Sequence, residues 1–175
     1  MLQGTAVLLA VVGLGLVGHQ NNDVAWIKSL AEPGTPGTPI QIDVVVFEAD
    51  GKTPVVGARV EVYHNGPWGY PDDHEHRFEG FLRTNAEGRF RFSSVRPAPY
   101  PDTAMPAHIH VIIRPAEGPR RFLELRFAGD PNLSRSQVRL DRARGDYGFI
   151  QALKEDENGV HHGHWKIRLD VLSAI

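Results

Sequence analysis

Leu123-Glu124-Leu125-Arg126-Phe127 places an apolar residue at every second position. Side chains of an extended strand point alternately to its two faces, so this stretch has one face for a core and one for water or a site. The same two-residue period recurs along the chain. Val60 and Val62 alternate with Arg59 and Glu61, and Phe90 and Phe92 with Arg89 and Arg91. Ile167, Leu169 and Val171 alternate with Lys166, Arg168 and Asp170. Ile40-Gln41-Ile42-Asp43-Val44-Val45-Val46-Phe47 is β-branched and partly alternating, and Asp50-Gly51 reads as a hairpin-type turn. One apolar face per strand is the pattern of packed antiparallel sheets. The expected fold is therefore all-β, an antiparallel β-sandwich. A helix is predicted only over residues 146–154, where Phe149, Ile150 and Leu153 fall near helical spacing.

Pro106-Ala107-His108-Ile109-His110 keeps the strand period but puts imidazoles on the polar face. His108 and His110 point one way, Ile109 and Val111 the other. At a rise of roughly 3.3 Å per residue the two imidazoles stand about 7 Å apart along the strand, close enough to share one metal. Upstream, the prolines of Pro99-Tyr100-Pro101 stiffen the backbone around Tyr100. A phenolate added to two imidazoles makes a hard, anionic donor set, suited to ferric iron more than to zinc or calcium. The competing reading is plain: buried histidines usually serve as hydrogen-bonding core residues, and a tyrosine at a sheet corner also packs without binding anything. Two histidines on one strand face beside a tyrosine turn favour the metal.

The chain of 175 residues is of a size for one domain. A net charge of −2 gives no reason to expect nucleic acid as partner. The absence of cysteine excludes disulfides and thiolate metal sites. Residues 5–18 are almost all Ala, Val, Leu and Gly, without charge. That run is short for a membrane span of about 20 residues and reads as the apolar region of an export signal or anchor. No Lys or Arg precedes it, and the alternative is an arm packed on a partner subunit. Residues 1–18 thus form an apolar segment, residues 19–39 a Pro/Gly-rich linker, and residues 40–175 the folded domain. His74-Glu75-His76 and His161-His162-Gly163-His164 lie in charged stretches that read as solvated loops.

The Pro97-Ala98-Pro99-Tyr100-Pro101 turn and the Pro106–His110 strand resemble the intradiol ring-cleavage dioxygenases, the protocatechuate and catechol dioxygenase family. The likeness extends through Gly51-Lys52-Thr53-Pro54-Val55-Val56-Gly57-Ala58, Gly69-Tyr70, Arg83-Thr84-Asn85-Ala86-Glu87-Gly88-Arg89-Phe90 and Phe127-Ala128-Gly129-Asp130-Pro131. The resemblance implies a non-haem Fe(III) centre held by Tyr70, Tyr100, His108 and His110. It implies a catecholic substrate and O2, a muconate-type diacid as product, and Tyr100 as the ligand that leaves when substrate binds. The stretch from Tyr63 to Tyr70 is one residue shorter than the family's, and Tyr63, which stands where tryptophan is usual, competes with Tyr70.

Two positions depart from that family. Its arginine two residues before the alanine is Met105 here, and its active-site glutamine aligns with Glu124. Glu124 and Arg126 are two apart and share a strand face. Arg126 could supply the missing charge if that face carries the metal; otherwise the two form a surface salt bridge of little worth. Arg83 is a second candidate. The connection from Tyr100 to His108 is also shorter than usual, which would open the site to a larger substrate. The rival reading is a non-enzymatic β-sandwich module of the transthyretin or carboxypeptidase-regulatory kind. The sequence is compatible with a homo-oligomer.

Overall fold

The computed structural model describes residues 25–69, 78–101 and 103–170. In chain order its strands are β1 (Ile27–Ser29), β2 (Pro39–Phe47), β3 (Arg59–His64), β4 (Phe78–Arg83), β5 (Arg89–Val95), β6 (His108–Arg114), β7 (Arg121–Phe127), β8 (Ile150–Gln151), β9 (Lys154–Glu155) and β10 (His161–Arg168). Helix α1 (Arg135–Ala143) follows β7. One sheet runs β1-β5-β2-β10-β9 and the other β4-β3-β6-β7-β8.

The alternating residues meet between these sheets. Ile42 and Val44 of β2, Phe90 and Phe92 of β5 and Trp165 and Ile167 of β10 join Val60 and Val62 of β3, Ile109 and Val111 of β6 and Leu123, Leu125 and Phe127 of β7 in one buried cluster. Each such side chain gains about 1.5–3 kcal/mol by leaving water, and together they fix which face of every strand looks outward.

The sandwich agrees with the sequence reading, but the sheets are mixed rather than antiparallel. β10 lies parallel to β2 from His161↔Ile40 to Arg168↔Phe47, and β1–β5 and β7–β8 are also parallel. β2 and β10 stand at opposite ends of the domain, so no tight hairpin dictates their direction. The helix predicted over 146–154 is not there. A 3-10 turn (Gly145–Tyr147), β8 and the start of β9 occupy that stretch. Phe149 is buried because the Asp141 carboxylate accepts its backbone N–H at 2.5 Å and that of Ile150 at 3.1 Å, not because it lies on a helix face. The real helix opens on a capping box: Ser134 Oγ accepts from Gln137 N and the Gln137 side chain accepts from Ser134 N. Ile27–Ser29, within the expected linker, adds an edge strand beside β5. The apolar segment 1–18, Tyr70, His74 and His76 lie outside the described residues.

Candidate metal centre

Residues directly opposed on neighbouring strands share a face. On the outward face of the β4-β3-β6-β7-β8 sheet the register sets Tyr63 beside His110 and His110 beside Glu124. The next row sets His108 beside Arg126 and Arg126 beside Ile150. Buried Asp130 anchors the entry to β6: its carboxylate accepts the backbone N–H of Ala107 and that of Asn132, each at 2.9 Å. The turn after β7 therefore holds the start of the histidine strand.

The His108 Nδ1–H donates to the Pro106 carbonyl at 2.8 Å. That bond selects the tautomer and leaves the lone pair on Nε2. Nε2 of His108 stands 3.2 Å from Nε2 of His110, with the rings nearly perpendicular at 83°. Nitrogens in neighbouring positions of one metal, each bonded at about 2.1 Å, lie about 3 Å apart. The Glu124 carboxylate completes a trio whose ligand atoms all fall within 4.8 Å of one another. The Tyr100 ring lies 5.3 Å from that of His108. Two imidazole nitrogens and a carboxylate thus converge on one point beside the Tyr100 ring, a donor set that fits iron. Gly69, at φ +84°, is pressed against the Tyr100 turn so closely that a Cβ there would stand 2.5 Å from Pro101 Cδ.

Around the trio, the Tyr63 ring packs 4.5 Å from His110. Behind it His64 points inward and is fully buried, its Nε2 2.7 Å from Ser94 Oγ and its Nδ1 2.5 Å from the Asn65 carbonyl. Burial pushes the His64 pKa down to about 4, against the Asn65 hydrogen bond and with the charges of His110 and His108.

The Glu124–Arg126 pair belongs to this site and not to open surface. Arg126 donates from Nη2 to Glu124 Oε2 at 2.7 Å, and the two side chains are only 15% and 12% exposed. The other Glu124 oxygen stands 4.0 Å from His110 Nδ1. Arg126 Nε is buried without a partner among the described residues, a cost that an exposed ion pair does not carry. Met105 is 48% exposed and apolar. Arg83 is elsewhere: its guanidinium donates to the Gly57 carbonyl at 2.9 Å. It also sits in the row of Arg59 and Arg114, roughly 13 Å along the strands from the His110 row. That correction follows from register, since Arg83 leaves β4 four residues away from the histidine level. His161 and His162 pair with Glu155 and Asp156 on the opposite sheet, at 3.7 and 2.8 Å. Phe122, which sequence reading passed over, faces outward with its ring 5.2 Å from that of His110. The signal was present: it is the one apolar residue on the polar face of β7 as Phe122, Glu124 and Arg126 alternate.

A family model described as Dioxygenase matches residues 17–170. Hydroxyquinol 1,2-dioxygenase of Rhodococcus opacus is 32% identical over 123 residues, covering 58% of this chain and 40% of that enzyme. The chain thus spans about two fifths of that relative's length. Among solved structures, the dioxygenase domain of a dioxygenase–carbohydrate-binding protein fusion from Streptomyces sp. SirexAA-E superposes with a TM-score of 0.65 at 22% identity, covering 83% of this chain and 87% of that one. Catechol 1,2-dioxygenase of Acinetobacter sp. ADP1 superposes with a TM-score of 0.63 at 17% identity, covering 82% and 56%. These structural likenesses establish a shared fold.

Proposed function

This chain belongs to the intradiol dioxygenase family, and we propose that it opens catecholic rings between their two hydroxyls with O2 to give muconate-type diacids. The observation that carries the reading is the 3.2 Å approach of the two histidine Nε2 atoms, one of them fixed as a lone-pair donor by Pro106. His108, His110, Tyr100 and Tyr70 would hold the iron, in its ferric form. When bound, the ion supplies a Lewis acid and template for both catechol oxygens.

The residues around it have separable tasks. Tyr100, as a phenolate on a stiff turn, can accept a proton from a substrate hydroxyl. Arg126 carries a permanent positive charge and offsets the negative charge that grows on the substrate. It replaces the family arginine lost at Met105. Glu124 orients that guanidinium through the 2.7 Å bond. The half-buried setting supports this role, because a charge acts more strongly where water is scarce. The binding-module alternative is not favoured: the family match runs across residues 17–170, and His108, His110 and Glu124 bring three ligand atoms within 4.8 Å of one another.

Iron content and colour test the reading. Protein produced with iron should hold about one ion per chain and show a visible tyrosinate-to-iron charge-transfer band, in line with a phenolate-bearing hard donor set. His108→Ala and His110→Ala should each lose most of the iron and the band. Equal iron in wild type and both variants would refute the ligand assignment.

A further inference from the structure

We propose that the outward sheet face beside the metal centre is a platform for an apolar substituent, so that the preferred substrates are catechols bearing an aryl or long alkyl group rather than a carboxylate. This inference rests on the catecholate reading above and names its substrate class.

The register sets Phe81 of β4, Glu61 of β3, Ile112 of β6 and Phe122 of β7 in one row across the sheet. That row lies next to the row of Tyr63, His110 and Glu124. Phe81 is 57% exposed and Phe122 40%, while Ile112 between them is nearly buried. Exposed aromatics in one row at the rim of a site mark a surface that meets an apolar ligand. The stripe is continuous with the centre, since the Phe122 ring packs 5.2 Å from the His110 ring. Neighbouring rows are two residues apart, about 7 Å, so a second ring carried by a catechol at the metal reaches Phe122. From Phe122 to Phe81 the stripe crosses three strand spacings, about 14 Å.

Within that row the charge pattern points the same way. The one charged member of the row is Glu61, and it engages Arg114 at 3.1 Å. A carboxylate on the substrate ring would meet an acid whose cation is already taken. An apolar group would instead remove Phe122 from water.

The test uses the iron-loaded full chain without O2, titrated with catechol, 4-phenylcatechol, 4-octylcatechol and 3,4-dihydroxybenzoate while the visible band is followed. 4-Phenylcatechol should bind at least about tenfold more tightly than catechol, the scale of discrimination a small apolar contact provides. Phe122→Ala should bring that advantage below about threefold. Phe122 touches His110, so Phe81→Ala is the second variant; it should weaken 4-octylcatechol more than 4-phenylcatechol. Equal affinity for catechol and 4-phenylcatechol in wild type would overturn the proposal. So would an advantage unchanged in both variants, or tightest binding of 3,4-dihydroxybenzoate. A stable dimer in sedimentation that Phe81→Asp dissociates would assign the stripe to a second copy of the chain and overturn it as well. No spectral response to any of the four ligands would refute the catecholate reading itself, and the platform with it.

Discussion

Acidifying the protein from pH 7 to 4.5 should weaken the fold through His64 before the exposed carboxylates matter. His64 is 1% exposed, and burial lowers its pKa from 6.5 to about 4. The unfolded chain takes up this proton near pH 6.5 and the folded chain only near pH 4. Between those values the unfolded state binds more protons, so stability is present above pH 6.5 and is lost as the pH falls. A gap of this size, at 1.36 kcal/mol per unit, comes to about 3 kcal/mol, of which about 2 to 3 is lost by pH 4.5. That is a large share of the roughly 5–15 kcal/mol that holds a domain together. Asp50 acts in the same direction but in a lower window, because the Thr53 hydroxyl and the Lys52 and Thr53 amides lower its pKa from 3.8 to about 2.

The assay is urea unfolding of wild type and His64→Gln at several pH values. Glutamine keeps a donor and an acceptor for Ser94 and Asn65 but does not titrate. Contributions shared by both proteins cancel in the difference. Wild type should lose about 2 to 3 kcal/mol more than His64→Gln between pH 7 and 4.5. Parallel curves would refute the reasoning, for they would mean that His64 is charged or solvated in the folded state. The site should feel the same transition, because His64 follows Tyr63, whose ring packs on His110.

Arg126→Gln should leave iron content unchanged and slow catechol turnover by at least about tenfold, the scale of losing one preorganised charge; an unchanged rate would return the Glu124–Arg126 pair to a structural role. Met105→Arg should also leave iron in place and raise turnover in steady-state assays, most of all in the Arg126→Gln background, and no gain there would mean that position 105 does not reach the substrate. Asp141→Ala strips the acceptor from the amides of Phe149 and Ile150. It should cost about 2–4 kcal/mol in urea unfolding, and an unchanged midpoint would show that α1 does not hold β8 against Arg126.

The strand faces could be read from the chain because each is a local pattern. Leu123, Leu125 and Phe127 are exposed to 1% or less, as their spacing demands, while Glu124 and Arg126 look out. The helix was harder. Arg135–Ala143 has a mean composition too polar for an apolar face to announce it, and its signal was Ser134 with Gln137 at capping-box spacing. The 146–154 stretch carried the apolar residues instead, because Phe149 packs on Trp165 from a loop. Sheet direction was legible only in part: β2–β5, β3–β4, β3–β6, β6–β7 and β9–β10 pair antiparallel as expected, but β2 and β10 pair across most of the domain's length, and nothing local specifies their parallel direction.

The same limit governs the site. Taken singly, methionine at 105 reads as the loss of a cation and glutamate at 124 as an unexplained acid where the family has an amide. Their relation depends on which strand lies beside β6, and no residue of β7 states that. Once Glu124 is opposite His110 and Arg126 opposite His108, the two departures become one change. A cation supplied from β7, two residues from its neighbour on the same face, is held in place only if that neighbour is an acid. Glutamine at 124 would leave the guanidinium half-buried beside an incoming metal of the same sign, with no acid to offset either. On the proposed function, the Arg-to-Met and Gln-to-Glu exchanges are therefore coupled, and Glu124→Gln should cost more in the presence of Arg126 than in Arg126→Gln. A double-mutant cycle on turnover and on unfolding measures that coupling; additive effects would show that the two positions changed independently.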